Sequence, residues 1–369
     1  MTDVFVPFND LNSRFQPHLS ALAEAAREVI DSGWVVLGTR LTDFESEFAK
    51  YLGAEHCVGV ATGTDAIELG LRAVGVEAGS KVGIVANAAM YSYVALQAIG
   101  AEPVFMDVDR RTRCATLEAA EAALDAGAEF IVITHLYGLL SPQTEAIAEL
   151  CERRGATLFE DCAQAHGAKR GGRAAGTFGA ASSFSFYPTK NLGAIGDGGA
   201  VVTNSGEVAD RVRTLRQYGW STKYTVSTPQ GTNSRLDEMQ AAFLLIFLKD
   251  LDRDTDRRRE IANSYSSGIT HPAVTIPDEL DESHVAHLYV VEADKRDSLR
   301  EHLKAHDVMC DVHYPVADHH QPILVDEYGG VSLPETERLC DTVLSLPCFP
   351  GLDDAQVGKV VDAVNSWPG

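Results

Sequence analysis

The chain has 369 residues, 45% of them hydrophobic and seven of them cysteine, and its formal net charge at pH 7 is −22. This length allows one large core of roughly 200–250 residues and a second, smaller domain, while the scattered cysteines suggest neither a disulfide framework nor a metal site. The negative charge argues against nucleic acid as a partner. No window approaches the roughly 18 apolar residues of a membrane span, and no cleavable leader is visible. We therefore expect a cytoplasmic protein with no membrane partner.

Helical and strand patterns alternate along the first two hundred residues. Apolar residues over 20–30 recur at helical spacing and predict a first helix that stops at Gly33. After it, short apolar runs alternate with amphipathic ones. They predict strands at 57–60, 82–85, 103–108, 130–133, 157–160, 182–186 and 199–203. Such alternation is typical of βαβ units, so we expect an α/β fold with a doubly wound, mainly parallel sheet.

The pattern changes near residue 250. A helix is predicted over 235–251, and beyond it come strands at 274–276 and 286–291. Two further helices are predicted near 296–306 and 355–364. We therefore predict a large domain over residues 1–250 and a small α+β domain over residues 251–369.

Charged and polar residues crowd the carboxyl end of the strand predicted at 157–160. In open α/β sheets this end of a strand is where ligands bind. A buried carboxylate at Asp161 would need a cationic partner, and a protonated pyridine nitrogen would serve. The alternative is that Asp161 caps the helix that follows.

A lysine follows the strand predicted at 182–186. Lys190 stands among small residues that permit close approach, so its amine could form a Schiff base with an aldehyde. A solvated loop lysine is the alternative. The glycines that follow at 196–199 do not form a dinucleotide fingerprint, because no G-x-G-x-x-G joins a strand to a helix here.

A third polar run lies between the strand at 57–60 and the next helix. Its sequence is Ala-Thr-Gly-Thr-Asp-Ala, over residues 61–66. Free amides at a helix start, with hydroxyl groups beside them, can hold a phosphate. A plain helix cap formed by Thr62 or Thr64 is the alternative.

Taken together, these runs resemble the DegT/StrS-type sugar aminotransferases, a branch of the aspartate-aminotransferase-like enzymes of fold type I. The most specific matches are EDCAQAHG at 160–167, SFYPTKNLG at 185–193 and GTNSRLDEMQAA at 231–242. The likeness covers nearly the whole chain. It implies pyridoxal 5'-phosphate (PLP), or its amino form PMP, as cofactor.

The resemblance also implies roles for single residues. Lys190 matches the Schiff-base lysine, Asp161 the carboxylate that pairs with the pyridine nitrogen, and Gln164 a residue near the cofactor's phenolic oxygen. The residues that match the phosphate cradle are Gly63, Thr64, Asp65 and Ser185. Asn233 matches an asparagine that reaches the phosphate from the neighbouring subunit, which implies a homodimer with shared active sites.

The residue that stacks on the cofactor ring stays open. Many relatives have a proline-led stretch with an aromatic residue there, whereas this chain has Ala-Asn-Ala-Ala-Met-Tyr over residues 86–91. Ungapped alignment places Met90 or Ala89 at the stacking position. Tyr91 is close enough to be a third candidate, and we include it among the cofactor-binding residues.

Other runs narrow the substrate. By resemblance we expect a nucleotide-linked keto-sugar, specifically a dTDP-linked 3-keto-6-deoxyhexose, with L-glutamate as amino donor. The residues expected to bind it are Tyr187, Lys223, Tyr224, His313, Tyr314 and His319. One alternative is an aminotransferase acting at C4 of a UDP-, GDP- or dTDP-linked sugar, and another is a regulatory protein on the same fold.

Overall fold

The computed structural model describes residues 4–278 and 280–369. Its α-helices are α1 (Leu11–Phe15), α2 (Leu19–Ser32), α3 (Thr39–Leu52), α4 (Gly63–Ala73), α5 (Tyr91–Ile99), α6 (Leu117–Asp125), α7 (Thr144–Arg154), α8 (Gly206–Leu215), α9 (Glu238–Leu248), α10 (Leu251–Gly268), α11 (Arg296–Ala305), α12 (Val325–Tyr328), α13 (Pro334–Thr342) and α14 (Asp354–Asn365). In the described part of the chain, no helix is long and apolar enough to cross a bilayer.

The strands form one large sheet and three two-stranded ones. They are β1 (His56–Val60), β2 (Lys81–Val85), β3 (Glu102–Met106), β4 (Phe130–Thr134), β5 (Thr157–Asp161), β6 (Lys169–Arg170), β7 (Arg173–Ala174), β8 (Ala181–Ser185), β9 (Gly199–Thr203), β10 (Trp220–Thr222), β11 (Thr225–Val226), β12 (Tyr289–Glu292) and β13 (Val343–Leu346). The large sheet has seven strands in the order β1-β9-β8-β5-β4-β2-β3.

This sheet confirms the predicted fold class. All neighbouring pairs from β8 to β3 run parallel, and β9 is antiparallel to both of its neighbours, β1 and β8. Every residue of β4, β8 and β9 is buried, as strands covered by helices on both faces must be. Residues 130–133 of β4 form the apolar run expected of a strand with a two-sided core, whereas β8 is fully buried although three of its five residues are serine.

Several predicted bounds shift by a few residues, and one predicted strand is absent from the described structure. The helix predicted over 235–251 begins only at Glu238, because the Asp237 side chain accepts a hydrogen bond from the Gln240 amide and caps it. The strand predicted at 274–276 is wrong. Thr275 exchanges two backbone hydrogen bonds with Glu292 and the pairing extends no further, so the run forms a single bridge.

The hydrophobic core is divided among several clusters. Two of them lie on opposite faces of the large sheet, one around Phe184 and Phe186 and one around Phe159 and Val201. A separate cluster joins α10, β12, β13 and α14, and the N-terminal Val6 belongs to it. The division at residue 250 stays a prediction.

Candidate active site

A cavity of about 690 Å³ opens where β5 and β8 end. It lies at the carboxyl edge of the parallel strands, the position at which α/β sheets bind ligands. Ten of the residues predicted for the site line this cavity, namely Gly63, Thr64, Tyr91, Asp161, Gln164, Ser185, Tyr187, Lys190, His313 and Tyr314. The fold therefore gathers side chains that are up to 251 positions apart in the sequence, from Gly63 to Tyr314.

Asp161 is the last residue of β5 and is buried. Its Oδ1 accepts a hydrogen bond from the Ala163 amide at 3.0 Å, in a turn and not at the start of a helix. The alternative of a helix cap is therefore wrong. Burial raises the pKa of the Asp161 carboxyl, and the nearby Lys190 amine partly opposes that rise. A cationic group in the cavity would lower the cost of ionising this carboxyl.

Lys190 lies in the loop after β8, where its backbone is held on both sides. Its amide donates to the Tyr187 carbonyl at 2.9 Å, and its carbonyl accepts from Arg14 at 3.2 Å. Burial lowers the pKa of Lys190 to about 8, and the charge of Asp161 opposes the shift. A lowered amine pKa leaves more of the nucleophilic neutral form near neutral pH, which favours the predicted Schiff-base role over that of a solvated loop lysine.

The start of α4 forms another part of the cavity wall. The Thr62 side chain accepts a hydrogen bond from the Asp65 amide at 3.0 Å, so the predicted cap exists and Thr62 forms it. The Gly63 and Thr64 residues at the helix start remain in the cavity lining. A Cβ added at Gly63 would lie 2.5 Å from the Ser185 Cβ, which leaves room only for glycine there. Helix-start amides and a serine hydroxyl together suit an anion.

Gln164 is oriented by two tyrosines. Its Oε1 accepts from the Tyr137 amide at 2.6 Å, and its Nε2 donates to the Tyr314 hydroxyl at 3.1 Å. The backbone amide can only donate, so the carboxamide oxygen must face Tyr137 and the NH₂ group faces the cavity side. Gln164 lines the cavity, and the second N–H of its Nε2 is left to donate to an acceptor atom there.

The loop over residues 86–91 has a strained backbone. Ala89 and Met90 both adopt left-handed conformations, with φ of 58° and 68°. The Asp318 carboxylate accepts a hydrogen bond from the Met90 amide at 2.9 Å, and the Asp318 amide donates one to the Ala86 carbonyl. Of the three candidates for ring stacking, Tyr91 is the one whose residue lines the cavity.

Five of the predicted residues lie outside the lining of this cavity. The Asp65 carboxylate turns aside and accepts a hydrogen bond from Ser234. His319 is fully buried, with Nε2 3.4 Å from Glu337. The other three, Lys223, Tyr224 and Asn233, are exposed, Tyr224 by 77%. Within a single chain, the structure does not bring these five side chains to the site.

The cavity also contains residues that the sequence did not single out. His287, Asp311 and Cys348 come from the C-terminal part of the chain, and Asp197 from the glycine-rich run after Lys190. No motif or periodic pattern marked them. Only His287 had a local signal, a second histidine three residues after His284.

The charge of the cavity is uneven. Among the described residues that line it, Lys190 is the only lysine or arginine. Three carboxyl groups also line the cavity, those of Asp161, Asp197 and Asp311. Burial lowers the pKa of both His287 and His313, so neither ring adds a positive charge at neutral pH. The helix-start amides of α4 are thus the main favourable feature that one chain offers to an anion.

Comparison with known proteins gives concordant matches along the chain. The model of the DegT/DnrJ/EryC1/StrS aminotransferase family matches residues 19–365. A Streptomyces venezuelae protein, dTDP-3-amino-3,4,6-trideoxy-alpha-D-glucose transaminase, is 42% identical over 98% of this chain and 96% of its own length.

Solved structures agree with the sequence matches. S. venezuelae DesV superposes with a TM-score of 0.95 at 41% identity, covering 98% of each chain. NtdA from Bacillus subtilis, solved with bound cofactor PMP, has a TM-score of 0.91 at 28% identity and covers 98% of this chain and 84% of that one.

Proposed function

The chain belongs to the DegT/DnrJ/EryC1/StrS aminotransferase family, and from this premise we propose that it transfers the amino group of L-glutamate to C3 of a dTDP-linked 3-keto-6-deoxyhexose. Enzymes of this family depend on PLP. The observation that carries the proposal is the meeting of Lys190, Asp161 and the start of α4 in one cavity. These are the amine, the carboxylate and the anion cradle that this cofactor requires.

The residues of the cavity fit PLP. When bound, PLP supplies an aldehyde that carries the amino group and a ring that takes up the electrons of a deprotonated carbon. Lys190 would hold the aldehyde carbon through its amine. Asp161 would hold a proton at the ring nitrogen, and that pairing would offset the cost of its buried charge. Gly63, Thr64 and Ser185 would hold the phosphate.

Lys190 has a second task. With the cofactor and the amino donor bound, the free Lys190 amine would take a proton from one carbon and return it to another. A pKa of about 8 suits both directions of proton transfer, because neither form of the amine is far from the working pH. The Gln164 N–H group would meanwhile donate to the phenolic oxygen of the ring, since its carboxamide oxygen is occupied by Tyr137.

The active form is proposed to be a homodimer with composite sites. A nucleotide diphosphate and a cofactor phosphate bring several negative charges to a cavity in which Lys190 is the only described lysine or arginine. Lys223, Tyr224 and Asn233 are exposed and lie outside the cavity of their own chain, so they are available to the cavity of a second copy. Lys223 would supply a cation there, and Asn233 a neutral hydrogen-bond donor.

We propose that the sugar binds to the polar residues of the cavity that the cofactor would not occupy, namely Tyr187, His313 and Tyr314. Tyr187 is half-exposed at the mouth, while His313 and Tyr314 lie deeper, with the His313 Nδ1 held 2.8 Å from the Ser345 hydroxyl. Such a wall offers directed hydrogen bonds to sugar hydroxyl groups. His319 is buried beside Glu337 and does not line the cavity, so it would affect sugar binding only indirectly, through residues packed between it and the cavity.

The deciding experiment uses glutamate and a panel of keto-sugars. Purified holoenzyme is incubated with L-glutamate and 3-keto or 4-keto sugars linked to dTDP, UDP or GDP, and products are identified by mass spectrometry and NMR. We expect amination at C3 of a dTDP-linked 6-deoxy sugar. Amination at C4 would favour the alternative aminotransferase, and a protein that binds no PLP and aminates no sugar would favour the regulatory alternative.

A further inference from the structure

A buried histidine in the cavity wall is held by the residue next to Lys190. His287 is 7% exposed, and its Nδ1 lies 3.1 Å from Oδ1 of Asn191. The Asn191 Nδ2 donates at 2.9 Å to the carbonyl of Val285. A chain of contacts therefore runs from a backbone carbonyl through the Asn191 carboxamide to the His287 ring.

These contacts determine which ring nitrogen carries hydrogen. The Val285 carbonyl can only accept, so the NH₂ group of Asn191 must face it and the carboxamide oxygen must face His287. That oxygen also can only accept, so the His287 Nδ1 must be the donor. In a neutral ring, Nε2 then carries no hydrogen and presents a lone pair.

The surroundings of His287 favour the neutral ring. Burial lowers its pKa well below the ordinary value, and the positive charges of Lys190 and Arg258 act in the same direction. Nε2 makes no hydrogen bond to any residue that the structure describes, although the residue lines the cavity. The wall beside Lys190 thus contains a neutral acceptor without a protein donor in the described chain.

We propose that Nε2 of His287 accepts a hydrogen bond from a hydroxyl group of the sugar and so positions the keto carbon beside Lys190. The inference rests on the proposed function. A hydroxyl suits the position because it donates, whereas phosphate and carboxylate oxygens would place lone pair against lone pair. Asn191 then fixes the tautomer of His287. Of the two consecutive residues, Lys190 would serve the cofactor and Asn191 would orient the histidine that binds the sugar.

The tautomer can be tested without turnover. In cofactor-free protein labelled with ¹⁵N-histidine, long-range ¹H–¹⁵N spectra distinguish protonated from unprotonated ring nitrogens, and the His287→Asn variant assigns the signals. We expect hydrogen on Nδ1, none on Nε2, and no titration between about pH 6 and pH 8. Hydrogen on Nε2, or a charged ring in this range, would overturn the inference.

The sugar contact is tested by two replacements that separate the ring nitrogens. His287→Asn keeps a donor near the Nδ1 position and places nothing at Nε2, whereas His287→Gln extends a carboxamide oxygen toward the Nε2 position. We expect His287→Asn to raise KM for the keto-sugar by about three- to tenfold, the effect of one hydrogen bond, and His287→Gln to recover part of that loss. His306→Asn, at an exposed histidine, is the matched control.

The two half-reactions keep this test separate from the proposed function. Conversion of the cofactor by glutamate alone, followed by absorbance, should change less in His287→Asn than conversion by the keto-sugar, because no sugar takes part. Equal KM values for the keto-sugar in the variant and the wild type would overturn the inference while the proposed function stands. Wild-type protein that accepts no keto-sugar would overturn both.

Discussion

Glu160 and Asp161 are consecutive on β5, yet their carboxyl groups point to opposite faces of the sheet and meet different partners. Glu160 accepts the amides of Gly176, Phe178 and Gly179 at 2.6–2.8 Å and lies 2.9 Å from the His135 Nε2. The Glu160 carboxylate therefore holds the loop over residues 176–179, and the neighbouring Asp161 lines the cavity.

Glu160→Ala should destabilise the fold by about 3–5 kcal/mol, because it leaves two buried amides, one partly buried amide and one buried imidazole without their acceptor. Glu160→Gln should cost less, since its carboxamide oxygen still accepts. The measurement is urea unfolding of the cofactor-free protein. Glu24→Ala removes an exposed ion pair with Arg27 and should leave the midpoint nearly unchanged. A loss below about 1 kcal/mol for Glu160→Ala would contradict the clamping role.

Lys190→Ala should abolish transamination and leave the fold intact, because the amine contributes reactivity and little packing. Borohydride reduction of the wild-type holoenzyme should fix the cofactor to Lys190, as peptide mapping would reveal. Circular dichroism checks the fold of the variant. If the label is found on Lys169 or Lys223 instead, the assignment of the cofactor lysine is wrong.

The rate at which cofactor-free enzyme captures PLP should follow the neutral fraction of Lys190. With a pKa of about 8, roughly one amine in ten is neutral at pH 7, compared with about one in 2,500 for an ordinary lysine. The rate should thus rise about tenfold per pH unit and level off near pH 8, as stopped-flow absorbance would measure.

The direction of this pH effect has an internal control. The negative charge of Asp161 raises the pKa of Lys190, so Asp161→Asn should move the plateau to lower pH. A rate that keeps rising to about pH 10 in the wild type would indicate an ordinary, solvated lysine.

Asp161→Asn should lower turnover by about a hundredfold or more, because an amide cannot keep the ring nitrogen protonated. The same change should stabilise the cofactor-free protein, since it removes a buried carboxyl whose ionisation burial disfavours. Thermal melts with and without PLP, together with kcat, test both effects. Near-native turnover would remove Asp161 from the mechanism.

Subunits carrying Lys190→Ala, when mixed with subunits carrying Asn233→Ala, should regain activity. If Asn233 acts in the neighbouring site, one site of each mixed dimer carries both defects and the other carries neither. Each parent alone should be dead or weak. The asparagine defect is expected to be partial, about 1.5–3 kcal/mol for a hydrogen bond to a charged group, so the assay requires limiting cofactor. No recovery after proven subunit exchange would mean that Asn233 acts within its own chain or not at all.

The sequence by itself determined the fold class and predicted residues that the structure brings into one cavity. The alternation of apolar and amphipathic runs predicted the parallel sheet, because strands buried on both faces, such as β4, are commonly near-continuous apolar runs. Lys190, Asp161 and the Gly63–Thr64 helix start were predictable because each lies at or within five residues of the carboxyl end of a strand, and these strand ends meet at one edge of the sheet. Local spacing carries this information.

Only the tertiary structure decided which side chains line the same cavity and how burial shifts their pKa values. His287 and Asn191 are 96 positions apart, and no local pattern encodes a contact that arises from the packing of separate elements. His319 and Asp65 fell outside the cavity for the same reason, since Glu337 and Ser234 hold them elsewhere. The lowered pKa of Lys190 likewise follows from burial, which depends on every element packed around the amine and not on the residues beside it in the chain.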